Sequence, residues 1–297
     1  MMDRRGFIIK SALFGGALWA AKGNLFAAEA FQKSRYKVAV IDLMILKRQK
    51  LGAVKLTHEI GADGLEVDMG GLGDRDTFDN QFFDKEFLKN YKSQLKEYGL
   101  QVCSVAMTGF YAQSFAKRPS YKLMLADTLK TCKLLDVDHA FLPLGVQGDL
   151  VKNPELRPAI VKRLRIAGKM AKKQGVTIGI ETALDAKGDR ELLKEIGSDA
   201  IKIYFNFSNP LKEGRDLIQE IEILGAENIS MIHCTDEDGV WLENNTRLDM
   251  VAVKKKLDEL NWSGWLVIER SRDASISPRN VKENFGANTR YVKSIFQ

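Results

Sequence analysis

Cysteine, histidine and proline are scarce in this 297-residue chain: three, three and six, against 24 glycines. Three cysteines cannot build a disulfide framework, and without a C-x-x-C pair they offer no zinc cluster. No apolar run reaches the roughly 18–20 residues a membrane span requires. A G-x-S-x-G elbow is missing, which removes the usual acyl-transfer triad. A G-x-G-x-x-G fingerprint between a first strand and helix is missing too, and the glycines at 70, 71 and 73 do not match its spacing. What remains, 45% hydrophobic and 28% charged, is an ordinary globular composition, neither disordered nor low in complexity.

Positive charge is only slightly in excess. The formal +6 includes Arg4, Arg5, Lys10 and Lys22 against Asp3 and Glu29 in the first 30 residues, and without them 41 basic residues face 37 acidic ones. The lysines are scattered along helices, with no basic stripe interleaved with aromatics, so nucleic acid is not an expected partner.

The first 30 residues read as an address. Arg4-Arg5-Gly6-Phe7 precedes an apolar stretch to Ala21, and Ala28-Glu29-Ala30 supplies the small-x-small pattern of a signal peptidase site. The segment resembles a twin-arginine export signal, with Asp3 in place of Ser or Thr and Lys10 one position late. An uncleaved anchor and the general secretory route are the competing readings. The expectation is a periplasmic chain beginning near Phe31, with the export machinery as a transient partner and its cysteines buried and unpaired.

Downstream, short apolar runs alternate with helix-period segments eight times. Expected strands are 37–45, 64–69, 101–108, 139–144, 177–182, 201–207, 229–235 and 264–269. Expected helices include 83–98, 121–135, 154–174, 190–196, 214–224, 249–260 and 279–296, with Gly61, Gly99, Gly175, Gly197 and Gly225 placed to end helices. Eight strand–helix units in about 260 residues predict a single-domain (β/α)8 TIM barrel over 31–297; a doubly wound sheet is the alternative.

In such a barrel the chemistry sits at the C-terminal ends of the strands. Glu66 falls late in the second strand, Glu181 near the end of the fifth, Asn206 at the end of the sixth, His233 late in the seventh and Glu269 at the end of the eighth. Parity turns the last strands the right way: Ile178 and Ile180 face opposite to Glu181, and Leu266 and Ile268 opposite to Glu269. Two carboxylates, an imidazole and an amide oxygen make a candidate site for Mn²⁺, Mg²⁺, Co²⁺ or Zn²⁺. His139, at the start of its strand, and His58, in a helix, read as structural.

These pieces, in order, resemble the sugar phosphate isomerase/epimerase family of xylose-isomerase-like barrels. The resemblance rests on residues 61–66 (GADGLE), 180–182 (IET), 204–209 (YFNFSN), 233–236 (HCTD) and 264–269 (GWLVIE), and spans about 37–295. It implies a divalent metal held by Glu181, Asn206, His233 and Glu269. Asn206 stands where the family has Asp, Thr235 where Lys is common, and 242–246 (LENNT) replaces a glycine-rich segment. With Asn206 neutral, two carboxylates and M²⁺ sum to zero charge, which weakens affinity; the amide oxygen remains a possible ligand.

The family chemistry implies that Glu181 and Glu269 act as the catalytic pair on opposite faces of a substrate carbon, one removing the proton α to a carbonyl and the other returning one. Glu66, Asn209 and Asp236 are expected to hold sugar hydroxyls, and Phe110 and Trp241 to wall the pocket. The expected activity is a periplasmic, metal-dependent isomerase or epimerase acting on an unphosphorylated sugar or keto-sugar, with a homo-oligomer as one assembly open to the chain. Alternatives are a lyase or hydrolase cleaving 3-keto-glycosides at the same site, and a sugar-binding barrel without catalysis. The related abasic-site endonucleases need several more histidines than this chain supplies.

Overall fold

Eight parallel strands close on themselves in chain order: β1 (Tyr36–Ile41), β2 (Gly64–Asp68), β3 (Gln101–Ala106), β4 (His139–Pro143), β5 (Thr177–Glu181), β6 (Ile201–Asn206), β7 (Ile229–His233) and β8 (Gly264–Ile268), with β8 pairing back onto β1. The structure is a computed structural model that describes residues 35–297; the expected export segment 1–30 lies outside the described residues. One principal helix follows each strand: α1 (Gly52–Ile60), α2 (Lys85–Tyr98), α3 (Tyr121–Leu135), α4 (Arg157–Gln174), α5 (Ala186–Ile196), α6 (Leu217–Leu224), α7 (Met250–Glu259) and α8 (Val281–Phe296). Residues 36–297 thus form a single (β/α)8 TIM barrel.

Capping chemistry explains the helix boundaries. Asp84, Asp185, Asp216 and Asp249 each accept backbone N–H bonds from the first turn of α2, α5, α6 and α7. Asp185 therefore starts α5 four residues before the expected 190, and Asp216 delays α6 beyond the expected 214. Gly61, Gly99, Gly175 and Gly197 take the left-handed conformation that closes α1, α2, α4 and α5. The first strand stops at Ile41 rather than 45, because the Asp42 carboxylate accepts from the backbone N–H groups of Gln49 (2.8 Å) and Asp68 (2.9 Å) and turns the chain.

Strand parity divides the apolar residues into two layers. Val38, Val40, Leu65, Val67, Ile178, Ile180, Ile201, Ile203, Leu266 and Ile268 face the helices and form the larger core. Ala39, Ile41, Cys103, Ala106, Phe141, Tyr204, Met231 and Val267 fill the barrel interior. Gly179 points inward, where a Cβ would lie 2.4 Å from Ser230 Oγ and 2.9 Å from Tyr204 Cβ. The missing side chain lets the Tyr204 ring lie in the interior against Phe141 and His233, with ring centroids 4.7 and 4.4 Å away. All three cysteines are buried and free. No helix among the described residues is long and apolar enough to cross a membrane.

Candidate active site at the barrel mouth

The inward positions that end β5, β6 and β7, and the residue after β8, bring Glu181, Asn206, His233 and Glu269 together. Asn206 Nδ2 donates to Glu269 Oε2 at 3.0 Å and to Glu181 Oε2 at 3.3 Å, so one amide group joins the two carboxylates. Its oxygen is turned the other way and accepts from the Ser208 backbone N–H (3.0 Å) and hydroxyl (2.9 Å). His233 is fully buried, with Nδ1 3.5 Å from Glu181 Oε2 and 4.0 Å from Glu269 Oε2. On its other side, Nε2 lies 3.4 Å from Glu66 Oε1.

Three groups flank this cluster. The Tyr111 hydroxyl donates to Glu181 Oε2 at 3.0 Å. Asn209 Nδ2 lies 3.4 Å from Glu181 Oε1 and is tethered to the Thr182 carbonyl at 3.0 Å. Arg270 Nε stands 3.8 Å from Glu269 Oε1. A cavity of about 380 Å³ opens above, lined by Tyr111, Leu144, Glu181, Asn206, Asn209 and Arg270 among others. Glu269 and His233 sit immediately behind the lining, in contact with Asn206 and Glu181.

The electrostatics separate the two carboxylates. Burial raises the Glu181 carboxyl, but His233, Asn206 and Tyr111 together outweigh it and hold the group below its ordinary value. Glu269 is raised, by burial first and by repulsion from Glu181, with His233 and Arg270 opposing. Burial alone would favour neutral His233; contact with Glu181 and Glu66, and the field of Glu269, reverse this and push it up to about 10. Burial and the facing carboxylates keep the Tyr111 hydroxyl protonated.

Several expected binding residues lie elsewhere. Glu66 is not at the rim: it is fully buried inside the barrel, where Oε2 accepts from the hydroxyls of Ser104 and Tyr204 and Oε1 faces His233. The Asp236 carboxylate is occupied by Arg247 (2.6 and 3.0 Å) and Asn245 (2.9 Å), which pin the loop after β7. Phe110 is buried against Phe115 and does not wall the cavity. Trp241 donates to Asn284 Oδ1 on α8 and is absent from the lining. The neighbour of Phe110, Tyr111, is the aromatic that reaches the site. Tyr204 and Arg270 were likewise missed as site residues, although Tyr204 shares inward parity with Asn206 and Arg270 follows Glu269 directly.

A divalent metal needs oxygen or nitrogen lone pairs turned toward one point. Nδ1 of His233, which has no well-formed hydrogen bond, lies within 4.0 Å of both Glu181 and Glu269. Asn206 offers no lone pair there: it turns N–H groups, not its oxygen, toward the carboxylates, and an N–H donor cannot coordinate a cation. Among the described residues no group of three or more His, Cys, Asp or Glu has metal-holding geometry. The residues present do not fit the expected four-ligand centre, and Asn206 is corrected from amide-oxygen ligand to hydrogen-bond donor.

The fold has many solved relatives. The D-psicose 3-epimerase of Clostridium cellulolyticum H10, solved with D-tagatose, superposes with a TM-score of 0.70 at 14% identity over 88% of this chain and 99% of that one. The 3-keto-D-glucoside 4-epimerase of E. coli gives 0.67 at 16% identity over 87% and 99%. The IolI protein, solved with a zinc atom, gives 0.65 at 16% identity over 88% and 99%. At these identities the likeness is one of fold. No curated protein matches the chain by sequence. The family profile of the xylose isomerase-like TIM barrels matches residues 54–294, and the chain belongs to that family.

Proposed function

We propose that this protein is a carbohydrate isomerase or epimerase that moves a proton on the carbon next to a carbonyl of an unphosphorylated sugar or keto-sugar. The observation that carries the reading is the pair of carboxylates, Glu181 and Glu269, joined through Asn206 at the C-terminal mouth of the barrel and beside a cavity of small-molecule size. Their environments push them apart as an acid–base pair requires. Glu181, held ionised, takes the proton; Glu269, held toward the protonated form, supplies one. Return to the same carbon inverts it, and delivery to the neighbouring carbon exchanges aldose and ketose.

The oxyanion that forms on the carbonyl needs donors. Arg270 lines the cavity and supplies a guanidinium, while the one proton of the neighbouring Tyr111 hydroxyl is given to Glu181. Glu66, Ser104 and Tyr204 fix the His233 ring from below, and the imidazolium in turn keeps Glu181 ionised. The similarity in fold to a psicose epimerase and a keto-glucoside epimerase supports the choice of sugar chemistry.

The test is solvent exchange. Keto-sugars and 3-keto-glycosides incubated with the protein in D₂O are followed by NMR for deuterium at the carbon next to the carbonyl. Exchange with a new epimer or isomer supports the proposal; binding without exchange favours a sugar-binding barrel, and release of an aglycone favours a lyase. The twin-arginine-like segment supports placing the activity in the periplasm. Replacing Arg4-Arg5 with Lys-Lys should then strand the precursor in the cytoplasm, and unaltered export would sink that placement.

A further inference from the structure

The Asn206 amide has a property that Asp at the same position would lack. Its two faces differ chemically, and both faces are occupied. On one side the Ser208 backbone N–H points at it from 3.0 Å, and the Ser208 hydroxyl lies at 2.9 Å. A peptide N–H is only a donor, so it demands the amide oxygen. On the other side stand the Oε2 atoms of Glu269 and Glu181, at 3.0 and 3.3 Å, which accept and therefore demand the NH₂ group. Inverting the amide would set donor against donor at Ser208 and oxygen against two carboxylates. Buried groups left unpaired in this way are costly, so the observed orientation is the one the surroundings impose.

We infer that the Asn206 amide takes the place of a divalent cation between Glu181 and Glu269, so that the wild-type protein does not bind one there, and that the single change Asn206→Asp makes the site a metal site. The amide hydrogens bridge the two Oε2 atoms and hold the carboxylates together without adding net charge. With Asp at 206, one oxygen still accepts from Ser208 while the other faces the two glutamates. Three carboxylates and Nδ1 of His233 then surround one point, with Nε2 of the same ring already directed at Glu66. That is a hard-cation donor set with its imidazole oriented from behind. One atom, nitrogen or oxygen, decides between the two sites. The inference is independent of the proposed catalysis, because binding rather than turnover is read.

Titration calorimetry with Mn²⁺ and with Zn²⁺, and elemental analysis after dialysis, would be run on the full chain. Wild type should retain no stoichiometric metal. Asn206→Asp should bind one equivalent at least tenfold more tightly than wild type, and its Tm should rise when Mn²⁺ is added. Asn206→Ala removes the amide without adding charge and serves as the second variant should the Asp protein fold poorly. It too should bind more tightly than wild type, because Glu181, Glu269 and His233 remain. One equivalent of metal in wild type that is lost in Glu181→Gln would overturn the inference. So would folded Asp and Ala variants that bind no better than wild type.

Discussion

The mouth and the upper interior of the barrel carry inward carboxylates on both sides, and the two sides use them differently. On the β1–β3 side, Asp42 accepts from the backbone of Gln49 and Asp68, Asp68 from the Gly70 N–H and the Thr108 hydroxyl, and Glu66 from Ser104 and Tyr204. Each is already engaged by donors within the protein, Glu66 by His233 as well. On the β5–β8 side, Glu181 and Glu269 share the donors of Asn206, with Tyr111, His233 and Arg270 around them, and Glu181 opens to the cavity. Position at a strand end makes a residue eligible for chemistry; the partners it already has decide whether it is available. Asp42 and Glu66 act as structural braces by that criterion.

The comparison breaks most visibly in rate. Glu181→Gln and Glu269→Gln should each lower deuterium exchange about 10²–10⁴-fold, the usual worth of a positioned acid or base, with little change in Tm. If either variant keeps full activity, the assignment of the active side is wrong.

On the opposite side the cost should appear in stability. Asp42→Ala leaves the buried N–H groups of Gln49 and Asp68 without their acceptor and should cost about 2–5 kcal/mol in urea unfolding. A loss confined to activity would argue that Asp42 belongs to the site.

A third carboxylate sharpens the rule through pH. Asp189 on α5 is buried under β5, accepts from the Thr182 hydroxyl at 2.6 Å, and is pushed by burial, with Glu220 and Asp185 adding, from 3.8 up to about 7. The folded state therefore holds this proton more tightly than the unfolded chain. Its contribution is complete below about pH 4 and is lost as the pH rises through about 7. Asp189→Asn removes the titration, so the stability of the variant relative to wild type should improve between pH 5 and 8, by roughly 1–3 kcal/mol. A difference that stays flat over that range would refute the buried-acid reading.

The smallest effect should come from Tyr111→Phe, which removes one donor to Glu181. We expect about a tenfold loss in kcat/KM and an unchanged Tm, whereas Tyr204→Phe, which takes a donor from buried Glu66, should lower Tm.

Much of this was legible in the residues themselves. Strand parity depends only on the alternation of apolar and polar positions, so Ile178 and Ile180 against Glu181, or Leu266 and Ile268 against Glu269, were enough to point both carboxylates inward. Helix ends follow from local capping, as Gly61, Gly99, Gly175 and Gly197 do. Phe110 does not wall the cavity because a 3₁₀ turn, Thr108–Tyr111, rotates successive side chains by about a third of a turn, burying one ring and sending the next toward Glu181.

The orientation of Asn206 lay between these cases. Asn-x-Ser at a helix start favours an Asx turn, with the side-chain oxygen bound to the N–H two residues on, and that local preference already turns the oxygen away from the barrel. Only the tertiary structure decided what the other half of the amide meets, since Glu181 and Glu269 are 25 and 63 residues distant along the chain. The same holds for Glu66, whose Tyr204 partner lies 138 residues away, and for Asp236, which the fold committed to Arg247 rather than to a ligand. Local sequence sets which face a side chain presents, because backbone geometry and short-range hydrogen bonds act within a few residues. Whether that side chain is left free for a substrate depends on donors that come from distant strands, and only closing the barrel brings them together.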